Sequence, residues 1–222
     1  MRIPQLTLCA LFAAMLAGPA LADKDGHDKG GNNECPVGLV NGMTLNEEFG
    51  PDSQELTLCN KVRHNVKLLI QLNQYGTDAA AYGLNNITNV IQDYEVTYGM
   101  RPGKDYEIVA IVHSGGGPLV VKDKGGVTVP GGQPRCDGTC GSTITNAHET
   151  EVQTLMNQGV KFLFCQNTTR GMQKAGKLPA DATGALVTSV DADGVEHSVG
   201  YVTAGIAALA DFQARGYQYV QP

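Results

Sequence analysis

Residues 106–118 read YEIVAIVHSGGGP and residues 160–168 read VKFLFCQNT. Each is a short apolar run that stops at a polar residue, His113 in the first and Cys165 in the second. A strand with one wet face alternates apolar and polar side chains, whereas a strand covered on both faces does not. Both runs therefore read as buried strands of a parallel sheet. Residues 64–72 supply another such run (Val66, Leu68, Leu69, Ile70, Leu72), and residues 185–190 a fourth.

Helical spacing separates them. Leu84, Ile87, Val90, Ile91 and Tyr94 recur at intervals of three and four, which predicts a helix over 78–98, ended by Gly99 and Pro102. Asn146, with Glu149 three residues on, has the form of a capping box before Val152, Leu155 and Met156, and Gly159 supplies a stop. A short helix is expected at 168–175. Thr203 is expected to cap a last helix through Ile206, Leu209 and Phe212 to Gly216, with an edge strand at 217–220. Alternating strands and helices predict an α/β fold: a mostly parallel sheet of about five strands with helices on both faces. In such sheets chemistry gathers at the carboxyl ends of the strands, where His113 and Cys165 lie.

The whole chain fits that reading. It has 222 residues, 42% hydrophobic and 17% charged, with 28 Gly, no Trp and a net charge of −6. A mildly acidic chain without a basic run is a poor partner for nucleic acid or an anionic membrane. Residues 1–22 read as a signal peptide: Arg2, an apolar stretch at 6–16, and Ala20-Leu21-Ala22 as the cleavage site. The mature protein is then expected in a bacterial periplasm, with a Gly- and Asn-rich arm at 23–60. A domain follows at 61–222, carrying a Gly- and Cys-rich insertion at 122–145.

Cys9 leaves with the leader, and five cysteines remain. In an oxidising compartment an odd count leaves at least one thiol unpaired. Sequence does not fix connectivity; locality suggests Cys35 with Cys59 and Cys136 with Cys140, leaving Cys165. The Cys136-x3-Cys140 spacing fits neither a zinc ribbon nor a redox Cys-x-x-Cys, although a thiol–disulfide enzyme working through this pair stays open. Gly115–Gly117 lacks the dinucleotide fingerprint and the Lys-Ser/Thr of a phosphate loop, so it reads as a tight turn. No cofactor is expected.

The closing half resembles the DsrE/DsrF-like family of sulfur-handling proteins. Two pieces carry the likeness: residues 159–168, GVKFLFCQNT, and residues 203–222, TAGIAALADFQARGYQYVQP. With the strand ending at His113, the resemblance spans roughly residues 64–222. It implies a flavodoxin-like three-layer α/β/α fold, homo-oligomers, and a cysteine that carries sulfur as a persulfide, exchanging it with a donor or acceptor protein or a small sulfur compound. Most relatives of that kind are cytoplasmic, whereas this chain reads as exported.

Three residues stand out as candidates. Cys165 ends a strand before a helix whose N–H groups and Arg170 would favour the thiolate; the alternative is a buried core cysteine. His113 ends the adjacent strand and reads either as a partner for the thiol proton or as a histidine that only bonds a loop. An oligomeric scaffold or small-ligand binder with an inert Cys165 is the competing function.

Overall fold

The four apolar runs do not all enter one sheet. The computed structural model describes residues 41–57, 65–75, 79–122 and 146–222. Among these are seven strands: β1 (Val66–Leu72), β2 (Tyr106–Val112), β3 (Lys161–Cys165), β4 (Thr188–Val190), β5 (Glu196–Ser198), β6 (Gly200–Val202) and β7 (Gln218–Val220). The helices are α1 (Leu45–Phe49), α2 (Ser53–Leu56), α3 (Ala79–Gln92), α4 (Glu149–Asn157), α5 (Gln166–Lys174) and α6 (Gly205–Ala214). The main sheet runs β6-β3-β2-β1-β7, and every neighbouring pair is parallel. Counted along the chain, its strands lie in the order 4-3-2-1-5.

The unbroken apolar runs are explained by two buried faces. On one, Leu68, Ile70, Ile108, Val112, Phe162 and Phe164 meet Leu84, Ile87 and Ile91 of α3, Leu155 and Met156 of α4, and Met172 of α5. On the other, Leu69, Val109 and Ile111 pack beneath Leu209, Ala208 and Phe212 of α6 and beside Tyr217. Each fully buried Leu, Ile or Phe contributes about 1.5–3 kcal/mol, so these layers dominate the stability of the fold. The α/β class, the five parallel strands and the helices on both faces are thus as the sequence predicts.

Several local readings need correction. The run at 185–190 contributes only β4, which pairs antiparallel with β5 in a separate two-stranded sheet. The turn between them is built by Asp191, whose Oδ1 accepts from the N–H groups of Asp193 and Val195, with Gly194 at φ +79°. Gln153 and Asn157 of α4 donate to the carbonyls of Thr188 and Val190 and hold β4 against that helix. The fourth strand of the main sheet is β6 instead.

Asn146 is not a helix cap. Its buried amide donates to the carbonyls of Leu119 and Val121, at 2.9 and 2.7 Å, and α4 starts only at Glu149, with His148 in the cap position. The helix predicted to reach residue 98 is regular to Gln92 and then widens into a π turn, Asp93–Thr97. That turn brings Tyr94 to 5.2 Å from the Tyr106 ring and lets the Tyr106 hydroxyl donate to Glu95 at 2.7 Å. The arm, expected to be loop-like, carries α1 and α2. Thr44 and Glu47 form a capping box at the first of these, a signal present in the sequence.

α5 begins at Gln166 rather than Thr168, so Cys165 itself takes its N-cap position. Likewise α6 begins at Gly205 with Ala204, not Thr203, as cap. Positions 205, 208, 209 and 212 turn to the sheet, and Ile206, expected in the buried stripe, is 66% exposed. The leader, the insertion and Cys35, Cys59, Cys136 and Cys140 lie outside the described residues.

Candidate functional site

Strand parity decides what meets at the carboxyl edge. Phe162 and Phe164 of β3 face the α3–α4–α5 layer, so Leu163 and Cys165 face α6. Val112 and Phe164 are the last paired residues of β2 and β3, and His113 and Cys165 follow them one step on. Neighbouring strands lie about 4.8 Å apart, so the imidazole and the thiol sit side by side on the same face. By the same parity Gln71 of β1 and Tyr219 of β7, which is paired with Leu69, belong to this face.

The N-terminus of α6 closes over the pair. Gly205 N–H donates to Cys165 Sγ at 3.2 Å, and the Gly205 backbone presses so close to His113 that an added Cβ would stand 2.9 Å from its Cβ and Cγ. From below, α5 starts directly after Cys165, and the N–H groups of Asn167 and Thr168 in its first turn lower the thiol's pKa without making a capping bond to Sγ. Two helix N-termini, leaving on opposite faces of the sheet, therefore meet at one residue.

Cys165 is a free thiol, 4% exposed. Burial pushes its pKa up. The N–H of Thr168, the N–H of Gly205, the Thr168 hydroxyl and the N–H of Asn167 push it down and prevail, so the thiol ionises below its ordinary value. Arg170 is exposed and its guanidinium donates to Asn167 Oδ1 at 2.5 Å. Neutral dipoles, not this cation, surround the sulfur.

His113 is buried and pushed below its ordinary pKa by desolvation. Its Nε2 lies 2.6 Å from Gln71 Nε2 and its Nδ1 2.8 Å from Ser114 Oγ. Both ring nitrogens are thus engaged away from the thiol, which leaves neither to take its proton. Ser114 stands at φ +52°, and its N–H donates to Thr168 Oγ1 at 2.8 Å. Gly116 and Gly117 follow because nothing larger fits: a Cβ would come 2.3 Å from the Leu72 carbonyl oxygen at the first and 2.6 Å from Met172 Sδ at the second. The glycine run is a tight turn wedged between β1 and α5.

Sequence reasoning brings out Cys165 and His113 and misses Gly205, Gln71, Ser114 and Tyr219, along with the bonding role of Thr168. Gln71 did leave a signal, as a lone amide inside an apolar strand. A polar cleft lined by Gln71, Asn73, Gln74 and Gln221 opens at the far end of this row. Among the described residues no group of three or more His, Cys, Asp or Glu side chains is arranged to hold a metal, and no helix is long and apolar enough to cross a membrane.

The sequence matches no family model and no curated protein. Among solved structures, the chain is similar to a protein of unknown function from Methanobacterium thermoautotrophicum, at 17% identity and a TM-score of 0.45, over 71% of this chain and 100% of that one.

Proposed function

We propose that the protein accepts and passes on sulfane sulfur as a persulfide on Cys165, in the manner of the DsrE/DsrF-like proteins its closing half resembles. The observation that carries the reading is Gly205 N–H of α6 bonded to Sγ at 3.2 Å, with the first turn of α5 starting at the same residue, an arrangement that favours the thiolate. In the step proposed, the Cys165 thiolate attacks the outer sulfur of a donor R–S–SH. A Cys165 S–S bond forms, the donor S–S bond breaks, and the electron pair leaves on RS⁻ while the transferred sulfur keeps its proton. The donors around Sγ would then steady whichever sulfur bears the charge. Export to the periplasm, assembly into homo-oligomers, and a protein or small sulfur compound as exchange partner belong to the same proposal.

The burial of Sγ favours a second reading, an oligomeric scaffold or small-ligand binder with an inert thiol. Mass spectrometry separates the two. After incubation with glutathione persulfide, gain of one sulfur atom on the peptide containing Cys165, absent in Cys165→Ser, supports sulfur relay. An unmodified thiol in folded protein sinks it and leaves the scaffold in front.

A further inference from the structure

We propose that Gln71, backed by Tyr219, is a positioning residue for Cys165, holding His113 in one tautomer and, through Ser114 and Thr168, aiming a hydroxyl proton at the sulfur. The inference rests on the reading of Cys165 as the site.

The directions of the hydrogen bonds follow from which groups can donate. The Tyr219 hydroxyl donates to Gln71 Oε1, with Gln221 Oε1 a longer alternative at 3.2 Å. This turns the Gln71 amide nitrogen toward His113 Nε2. An amide nitrogen only donates, so Nε2 must accept, and the ring proton of the neutral imidazole sits on Nδ1. Nδ1–H then donates to Ser114 Oγ. Ser114 N–H donates to Thr168 Oγ1; the Thr168 hydroxyl is among the groups that lower the Cys165 pKa, and its proton is assigned to Sγ. From Tyr219 to Ser114 Oγ every bond points the same way, and bonds aligned in this manner polarise one another; beyond Ser114 Oγ the coupling is positional, because the His113 bond fixes the residue whose N–H reaches Thr168 Oγ1.

The relay passes through the backbone of Ser114, so it orients donors rather than conducting a proton. Two oddities of the chain are explained by it. Gln71 is 7% exposed beside Leu69, Val109 and Ile111, where an amide is unfavourable unless its bonds are made. Ser114 adopts a left-handed conformation at the head of three glycines, any of which would adopt it with less strain. Glycine, however, has no Oγ to accept from His113.

The readout is the pH profile of iodoacetamide alkylation of Cys165, which needs no sulfur donor and so fails or succeeds independently of the persulfide reading. Thr168→Val removes the last link and is expected to slow alkylation at neutral pH about tenfold. Gln71→Leu, two strands away, is expected to slow it about threefold by moving the profile to higher pH. Because both act on one chain of bonds, the double variant should be no slower than Thr168→Val alone. An unchanged profile in Gln71→Leu, or losses that multiply in the double variant, overturns the proposal. Should Gln71→Leu fail to fold, Tyr219→Phe, which removes one hydroxyl from a partly exposed ring, is expected to move the profile the same way; an unchanged profile there overturns it as well. In the unaltered protein, ¹⁵N shifts of the His113 ring should report protonated Nδ1 and bare Nε2 at neutral pH, and the opposite tautomer refutes the relay outright.

Discussion

Replacing Gly205 with alanine tests whether the contact between α6 and the strand ends holds the site together. An added Cβ would stand 2.9 Å from His113 Cβ and Cγ and 3.1 Å from Cδ2, whereas ordinary contact begins near 3.4 Å. These atoms are at the root of the side chain, and the ring is tethered at both nitrogens, at 2.6 and 2.8 Å, so His113 cannot swing aside. The first turn of α6 must therefore recede by about 0.5 Å, the difference between 3.4 and 2.9 Å. Overpacking of this kind costs about 1–3 kcal/mol. The gain in helix propensity from Gly to Ala offsets at most about 1 kcal/mol. Gly171 provides the control: it is exposed within α5, and nothing stands within 4 Å of where its Cβ would be. Gly171→Ala should stabilise the fold by about 0.5–1 kcal/mol, Gly205→Ala should destabilise it by about 1 kcal/mol, and the gap of about 2 kcal/mol lies well within the reach of urea melts. The same retreat lengthens the 3.2 Å bond from Gly205 N–H to Sγ, so alkylation of Cys165 should require higher pH in this variant only. Equal stabilisation by both alanines would refute the packing argument. Loss of stability with an unchanged alkylation profile would refute the role of that N–H.

Three further outcomes are expected. His113 has a folded pKa below its ordinary 6.5, so below that pH the unfolded chain binds more protons than the native one; its contribution to stability is constant above about 6.5 and is lost progressively as the pH falls below it, a slope that urea melts should find reduced in His113→Gln. Tyr106 is 4% exposed and donates to Glu95, and burial followed by that carboxylate pushes its pKa up, so Tyr106→Phe should cost about 1.5 kcal/mol in urea melts without altering Cys165 alkylation. Arg170→Gln should leave the alkylation profile within about twofold of the parent, because an exposed cation acts weakly through water and this one is bonded to Asn167.

What was legible in the sequence follows from what each signal depends on. β1, β2 and β3 were read from uninterrupted apolar runs, since burial on both faces suppresses alternation wherever such a strand lies. β6 escaped because three residues, Gly200, Tyr201 and Val202, are too few to show a period; their membership of the sheet is decided by pairing with Leu163, Phe164 and Cys165. The run at 185–190 misled for the opposite reason. It has the right composition, but the Asp191 turn, a local hydrogen-bonding choice, folds it into a hairpin instead. Asn146 has a cap-forming side chain at the right distance from Glu149, but its amide nitrogen is held by two carbonyls of the segment after β2 and its Oδ1 accepts from His148 N–H, ahead of the helix. At the site, Cys165 and His113 follow from the rule about strand ends. Gly205, Gln71 and Tyr219 depend on where the last helix crosses the sheet, and neither composition nor spacing encodes that.

The crossing itself explains why the thiol lies at the end of β3. After β6 the chain stands at one edge of the sheet, and β7 occupies the other, beside β1. Four strand spacings of about 4.8 Å separate them, about 19 Å in all. α6, with ten residues, is about 15 Å long, so it can bridge the gap only by running obliquely across the face with its first turn already over β3 and β2. That is where Gly205 meets Cys165 and His113. α5, arising directly from β3, leaves toward the opposite layer, where Met172 joins Phe164. Among the described strands, only β3 and β6 are neighbours that send their helices to opposite faces, so among the described residues two helix N-termini face one strand end only there. The strand order and the position of the thiol are therefore a single fact: the reversal that returns the chain to β7 also gathers the donors that favour a thiolate.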